Sequence, residues 1–383
     1  MDKDTLFSSF GKWVAPIFST TFLDQLAQNH ADAYVKKLTV PAYLKLFLHA
    51  QLQQREGLRS IADDVLSKDF QQELGFESIS FSQLCRKNNQ VNPALLENLF
   101  EQLARKVLRS EGATAADRKT VQVIDSTTIS LCLQRYKWAE FRQTKAGIKI
   151  HLRLAFMGKE SVLPERATIT TAKKNDRTQM DALIDEEGAT YLFDRGYVDY
   201  KAFDDYTERG IHFVTRLKNN AVIEPLESFP IPMESRVTMD ERVRIGSASK
   251  RAKREYRMIE TADSEGNLLI LVTNRFELTC DEISDMYRSR WAIETFFKWM
   301  KQHLRIKRFY GTSERAVQNQ VWMALIAYCL LVLVKKKTQT PHSLLMLSRW
   351  LRVLLWKPAE QWLRRIHRPP SRKSAGRRRL NST

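Results

Sequence analysis

Four polar side chains recur along DEISDMYRSRWAIETFFKWMKQHLRIKRF: Tyr287, Arg290, Glu294 and Lys301. At about 100° per residue, Arg290 falls about 60°, Glu294 about 20° and Lys301 about 40° from Tyr287, all on one side of a helix. Met286, Ile293, Phe297, Met300 and Leu304 form a separate apolar stripe. Trp291 and Lys298 flank the polar face. A helix so built packs on one side and presents a phenol, two cations and a carboxylate on the adjoining one, where the carboxylate could help to hold a divalent cation. The ordinary alternative is a solvated face on which Arg290 and Glu294 form an i,i+4 pair.

One carboxylate does not hold a divalent cation. Two aspartates offer themselves as companions: Asp125 in TVQVIDSTTISL and Asp194 in TYLFD. Both are read as ending strand-like runs, where aspartate is better tolerated than inside a strand and can face a shared cleft. Hard oxygen donors of this kind suit Mg²⁺.

These residues need elements to carry them. Residues 1–117 read as a helical, DNA-binding N-terminal domain, with apolar periodicity through 22–28, 40–54 and 94–108 and a helix start at Thr39-Val40-Pro41. Within it, 58–66, a turn near Gly75 and a helix from Ser80 could form a helix-turn-helix presenting Gln83, Arg86 and Lys87 outward. From 120 the pattern turns to β-branched runs at 120–131, 147–157 and 162–172. A helix at 178–187, a strand at 190–194, a helix at 200–210 and a strand at 211–217 follow. Three successive strands and then β-α-β units describe an α/β fold with a ribonuclease-H-like core over 118–335. Residues 218–274 read as a β-rich insertion in that core, and helix resumes at 280–305 and 313–335. Residues 336–383 read as a basic helical region, with Trp350, Trp356 and Trp362 as packing residues, and a disordered basic tail after Pro369-Pro370.

The chain carries 62 Lys and Arg against 44 Asp and Glu, a formal charge of +18. A globular chain with that excess suits a polyanion, nucleic acid before an anionic membrane. The longest apolar run, 321–334, would span only about 21 Å as a helix against a hydrocarbon core of about 30 Å, so it reads as a core helix. No secretory signal opens the chain, and Cys85, Cys132, Cys280 and Cys329 form no CxxC pair, which fits a reducing cytosol without structural zinc. Histidines make no i,i+4 pair, and His151 reads as a strand residue near the site rather than a ligand. No P-loop is present, so nucleotide hydrolysis is not suggested.

Tyr287, Arg290, Glu294 and Lys301 match a Tyr-x2-Arg-x3-Glu-x6-Lys signature, and VIDST and FDRGYVDY surround the two aspartates. On these motifs the chain resembles the bacterial insertion-sequence transposases of the Asp-Asp-Glu class, in the insertion-sequence-4 group with the Tyr-Arg-Glu-Lys signature. The resemblance covers about 118–335, and NHADAYVKK and LRSIADDV resemble the N-terminal domain of one branch. It implies that Asp125, Asp194 and Glu294 bind two Mg²⁺ ions, with Mn²⁺ as a substitute, and catalyse DNA cleavage and strand transfer. It implies that Tyr287, Arg290, Lys301 and Lys298 contact DNA. The partners it implies are the double-stranded transposon ends and target, and a second copy of the chain, in a bacterial cytoplasm. Relatives stabilise a hairpin intermediate with an aromatic from the insertion, but 218–274 holds no Trp, only Phe229 and Tyr256. A nuclease on the same core, or an inactive DNA-binding relic, are the rival readings.

Overall fold

The computed structural model describes residues 8–109, 121–156, 162–263, 265–304 and 306–368. The tail after Pro369-Pro370 lies outside them. The first part is helical: α1 (Ser9–Val14), α2 (Thr20–Gln28), α3 (Val40–Gln53), α4 (Leu58–Asp64), α5 (Lys68–Leu74), α6 (Phe81–Gln90) and α7 (Pro93–Arg109). Thr39 caps α3 by accepting from the Ala42 amide, with Pro41 in the first turn. The stretch read as a helix-turn-helix holds an additional helix, α5, where a turn was expected. Ser67, extended but without a side-chain capping bond, precedes it, and Gly75, at φ 78°, ends it as a left-handed C-cap. Lys87 does not point outward as expected. It is buried and bound to Asp32 at 2.8 Å, and Gln83 closes a capping box with Ser80.

The sheet strands are β1 (Val121–Leu131), β2 (Glu140–Arg142), β3 (Lys145–Phe156), β4 (Val162–Thr171), β5 (Thr190–Phe193), β6 (His212–Arg216), β7 (Ile223–Ser228), β8 (Met239–Ile245), β9 (Tyr256–Ala262) and β10 (Leu268–Thr273). Among the described residues they form one sheet in the order β2-β3-β1-β5-β6-β10-β9-β8-β7, with β4 also on β3. β1, β3 and β4 pair antiparallel, whereas β5 joins β1 and β6 joins β5 in parallel. β7–β10 continue the sheet outward from β6 as an antiparallel meander. Expected helix 178–187 is only a 3-10 turn and α8 (Met180–Leu183), because Ile184 already turns extended to lead into β5. α9 (Tyr200–Glu208) bridges β5 and β6.

The last helices are α10 (Cys280–Arg288), α11 (Trp291–His303), α12 (Glu314–Thr338), α13 (Leu344–Val353) and α14 (Ala359–His367). The helix expected over 280–305 is therefore two. Arg290 N donates to Tyr287 O at 3.0 Å and Ile293 N to Arg290 O at 3.2 Å, so the chain tightens to i→i−3 bonding at the join. α12 is long and apolar enough to cross a membrane, but its apolar residues lie inside the fold, against α7 and α3 among others.

Two cores sandwich the sheet. Val123, Leu152, Leu154 and Leu192 pack with α11, α12 and the N-terminal helices, while Ile124, Tyr191 and Phe193 pack with α8 and α9. α1 meets the segment after α13: Phe10 N donates to Leu355 O at 2.9 Å, and Trp356 stacks beside His49 and Phe70. Trp362 is buried, so packing rather than base stacking occupies it.

Candidate active site

Strand alternation decides which way each aspartate faces. Val123 pairs with Leu192 in the parallel β1–β5 register, and both face the α11 side. Two residues further on, the same parity turns Asp125 and Asp194 toward α11, at the same level. Asp194 sits where β5 has ended, as the residue before a 3-10 turn at Arg195–Tyr197. Asp125 was expected at a strand end too, but it lies in the middle of β1. β1 runs past the end of β5 because β3 continues to pair with it, as far as Leu131 with Ala146. What leaves Asp125 unpaired on its β5 side is thus the end of its neighbour, not its own.

Glu294 approaches from α11. Arg290 ties the cluster: its guanidinium donates to Glu294 Oε1 at 2.6 Å and lies 3.6 Å from Asp125 Oδ2. Asp125 also accepts from the Ser126 amide at 2.7 Å. Burial nevertheless pushes the Asp125 carboxyl up to about 6, with the Ser126 bond and Arg290 opposing and the Asp194 and Glu294 charges adding to the rise. Asp125 therefore feels the charge of both other predicted carboxylates. Their oxygens are not drawn into a metal cage: among the described residues, no group of three His, Cys, Asp or Glu could hold a metal ion as placed. Arg290 is the cation that bridges Asp125 and Glu294.

Tyr287 is buried, with Arg290 5.8 Å over its ring. Burial pushes its hydroxyl up to about 12, so it is a donor and not a base at neutral pH. Lys301 is half-buried further along α11, its pKa lowered by burial and by the nearby Lys307, and Lys298 is exposed. Among the described contacts none joins either lysine to the carboxylates, so the structure gathers the first three signature residues and leaves the lysines apart from them.

A cleft of about 920 Å³ opens beside this cluster, lined by Asp194, Tyr287, Arg290, Arg216, Arg236, Arg288 and Trp291 among others. Arg216, Arg236 and Arg288 were missed in the sequence, because they come from β6, the β7–β8 loop and α10, and no spacing connects them. Trp291 is 65% exposed here, an unusual place for so large an apolar ring. The two aromatics of 218–274 are engaged elsewhere. Tyr256 is fully buried and donates to Asp204 at 2.8 Å, and Phe229 packs against Phe276 and the Arg257 guanidinium.

Behind β1, on the opposite face, Asp176 accepts from Ser126 Oγ at 2.7 Å and Lys149 at 3.0 Å and lies 3.4 Å from His151 Nδ1. His151 is fully buried, and burial pushes it down to about 4, so it is neutral at physiological pH. It supports the strand that carries Asp125. Asp176 was missed as well; its only sequence signal was position after β4.

Comparison with known proteins agrees with the motifs. The model of the transposase DDE domain matches residues 116–330, and a domain of unknown function, DUF4372, matches residues 6–77. The chain is 29% identical over 317 residues to the probable transposase for insertion sequence element IS5377 of Geobacillus stearothermophilus, covering 82% of this chain and 81% of that one. Among solved structures, the piggyBac transposase synaptic complex with hairpin DNA aligns at a TM-score of 0.45 and 12% identity, over 86% of this chain and 73% of that chain.

Proposed function

The chain belongs to the transposase DDE domain family, and from that premise we propose that it cuts the ends of an insertion sequence and joins them to target DNA. The carrying observation is the convergence of Asp125 and Asp194 on one sheet face with Glu294 opposite them on α11. The strand order β4-β3-β1-β5-β6, three antiparallel strands followed by two parallel ones, supports a ribonuclease-H-like core.

Asp125, Asp194 and Glu294 are the residues that would hold two Mg²⁺ ions. Their donor atoms are the hard oxygens Mg²⁺ takes, and Asp125 resists ionisation with Arg290 as the cation beside it among the described residues. Bound there, Mg²⁺ supplies activation of a water or 3′-hydroxyl and stabilisation of the leaving oxygen in phosphoryl transfer. Arg290 and Tyr287 hold a phosphodiester beside the carboxylates by charge and by a hydroxyl that stays protonated. Lys298 and Lys301 meet the backbone further along α11. Trp291 is the ring the cleft offers to an unstacked base. A dimer bridging two ends, in a bacterial cytoplasm, completes the reading, with the N-terminal helices carrying end recognition.

The test is a labelled duplex bearing the element's own end, incubated with full-length protein and Mg²⁺ beside Glu294→Gln. Terminal nicking or hairpin formation and joined product, absent from the variant, are expected. Cleaved product that never joins would leave a nuclease. Specific binding without cutting by the wild type would leave a DNA-binding relic.

A further inference from the structure

The helices beyond the catalytic core leave their charge unmatched. Residues 341–368 contain six Lys and Arg and one acid, Glu360. Glu360 pairs with Arg364. Arg349, Arg352, Arg365 and Arg368 make no ion pair among the described residues. Soluble surfaces ordinarily interleave both signs, because crowded like charges repel. The crowding is felt here: burial and Arg349 lower the pKa of Arg352, and burial, Arg352 and Arg349 lower that of His303.

The cations are also positioned. Arg365 lies over the Trp350 ring at 4.9 Å, Trp350 meets His342 edge-on at 4.7 Å, and His342 Nε2 is 2.9 Å from Arg368 O. A groove of about 560 Å³ runs there, lined by Leu354, Gln361, Arg364, Arg365, His367 and Arg368, with no carboxylate in its wall. The opposite sides of both helices are committed to the core through Leu347, Leu351, Trp362 and Ile366.

We propose that the exposed faces of α13 and α14 bind the phosphate backbone of the target duplex and hold it for joining. This rests on the transposase reading above. The surface begins where α11 ends: His303 follows Glu294 by nine positions, about 13.5 Å of helix rise. That is about four phosphates along one strand. Arginine forks fit phosphate oxygens, and the groove wall carries no carboxylate to oppose a polyanion. Sequence-independent backbone binding suits a target rather than a transposon end, which must be recognised by its bases.

Full-length protein carrying Arg349→Gln, Arg365→Gln and Arg368→Gln together tests this. All three side chains are exposed, so the fold should persist. With a duplex of arbitrary sequence, the slope of log K against log salt should flatten by about 0.9 for each lost phosphate contact, up to about 2.7. Joining to a target plasmid should fall by about tenfold or more, while terminal cleavage of the end duplex changes by less than about twofold. The three Arg→Lys changes should retain most of the slope. An unchanged slope overturns the proposal. So does an equal loss of terminal cleavage, which would assign the surface to the transposon end, or displacement of the duplex by anionic-lipid vesicles, which would assign it to a membrane. Absence of cleavage by the wild type sinks the transposase reading instead, and is scored separately from the slope.

Discussion

Replacing Asp125 by Asn should abolish cleavage and, without metal, make the protein more stable. The Asp125 carboxyl rises from an ordinary 3.8 to about 6 on folding. Its ionised form is therefore penalised in the native state by about 3 kcal/mol, at 1.36 kcal/mol per unit. The figure already contains the help from Ser126 and Arg290, since both oppose the rise. The sign follows from proton counts. Between pH 4 and 6 the folded protein binds more protons at this site than the unfolded chain, so stability falls as pH rises through that window. Above pH 6 the penalty is constant, and below pH 4 it is gone. Asn keeps the shape and an oxygen for the Ser126 amide but carries no charge. In EDTA at pH 8 the variant should gain up to about 3 kcal/mol, and the gain should shrink as pH falls from 6 to 4. Matched thermal or urea melts from pH 4 to 8 measure the difference. Saturating Mg²⁺ should then stabilise the wild type and not the variant. A variant less stable than wild type at pH 8, or a gap independent of pH, would refute the claim that burial strains this carboxylate.

Removing the nearby cation should act in the opposite direction: Arg290→Gln takes away a group that lowers Asp125, so the acid limb of metal-dependent cleavage should move to higher pH, and an unmoved limb in the pH–rate profile would contradict this. Asp204 accepts from the Lys253 and Arg254 amides and the Tyr256 hydroxyl, so Asp204→Ala should cost about 3 kcal/mol in a thermal melt by orphaning three donors; a wild-type melting temperature would sink that account. His151, pushed down to about 4, should show no imidazole titration by NMR between pH 5.5 and 8, and its neutral burial should destabilise the fold only as pH drops below the unfolded value of about 6.5. Joining should respond to the α13–α14 arginines as described above, and end cleavage to Glu294→Gln.

Several features were legible in the chain because local chemistry decides them. Capping and proline signals marked α3, and β-branched runs marked β1, β3 and β4 within a residue or two. Period 3.6 separated the apolar stripe of α11 from its polar face, and Ile293, Phe297, Met300 and Leu304 are all buried. Helix spacing nominated Glu294, and strand-end placement with the VIDST and FDRGYVDY contexts nominated Asp125 and Asp194; in the fold Asp125 feels the charge of the other two.

Other features depend on what lies across space. Lys87 looked like a DNA-facing cation until Asp32, 55 residues away, took its charge inside. Asp125 looked like a strand end because aspartate breaks a strand's local preference, yet β3 pairing carries β1 on to Leu131. Arg216, Arg236 and Arg288 share no spacing and become neighbours of Asp194 only when β6, the β7–β8 loop and α10 wall one cleft. Residue type and periodicity, being properties of a few consecutive residues, marked most of the elements, and motif resemblance nominated the three carboxylates. Which partner neutralises each charge, and which side chains border the site, was decided only by tertiary packing, because burial and Coulomb energy depend on neighbours that the linear order does not specify.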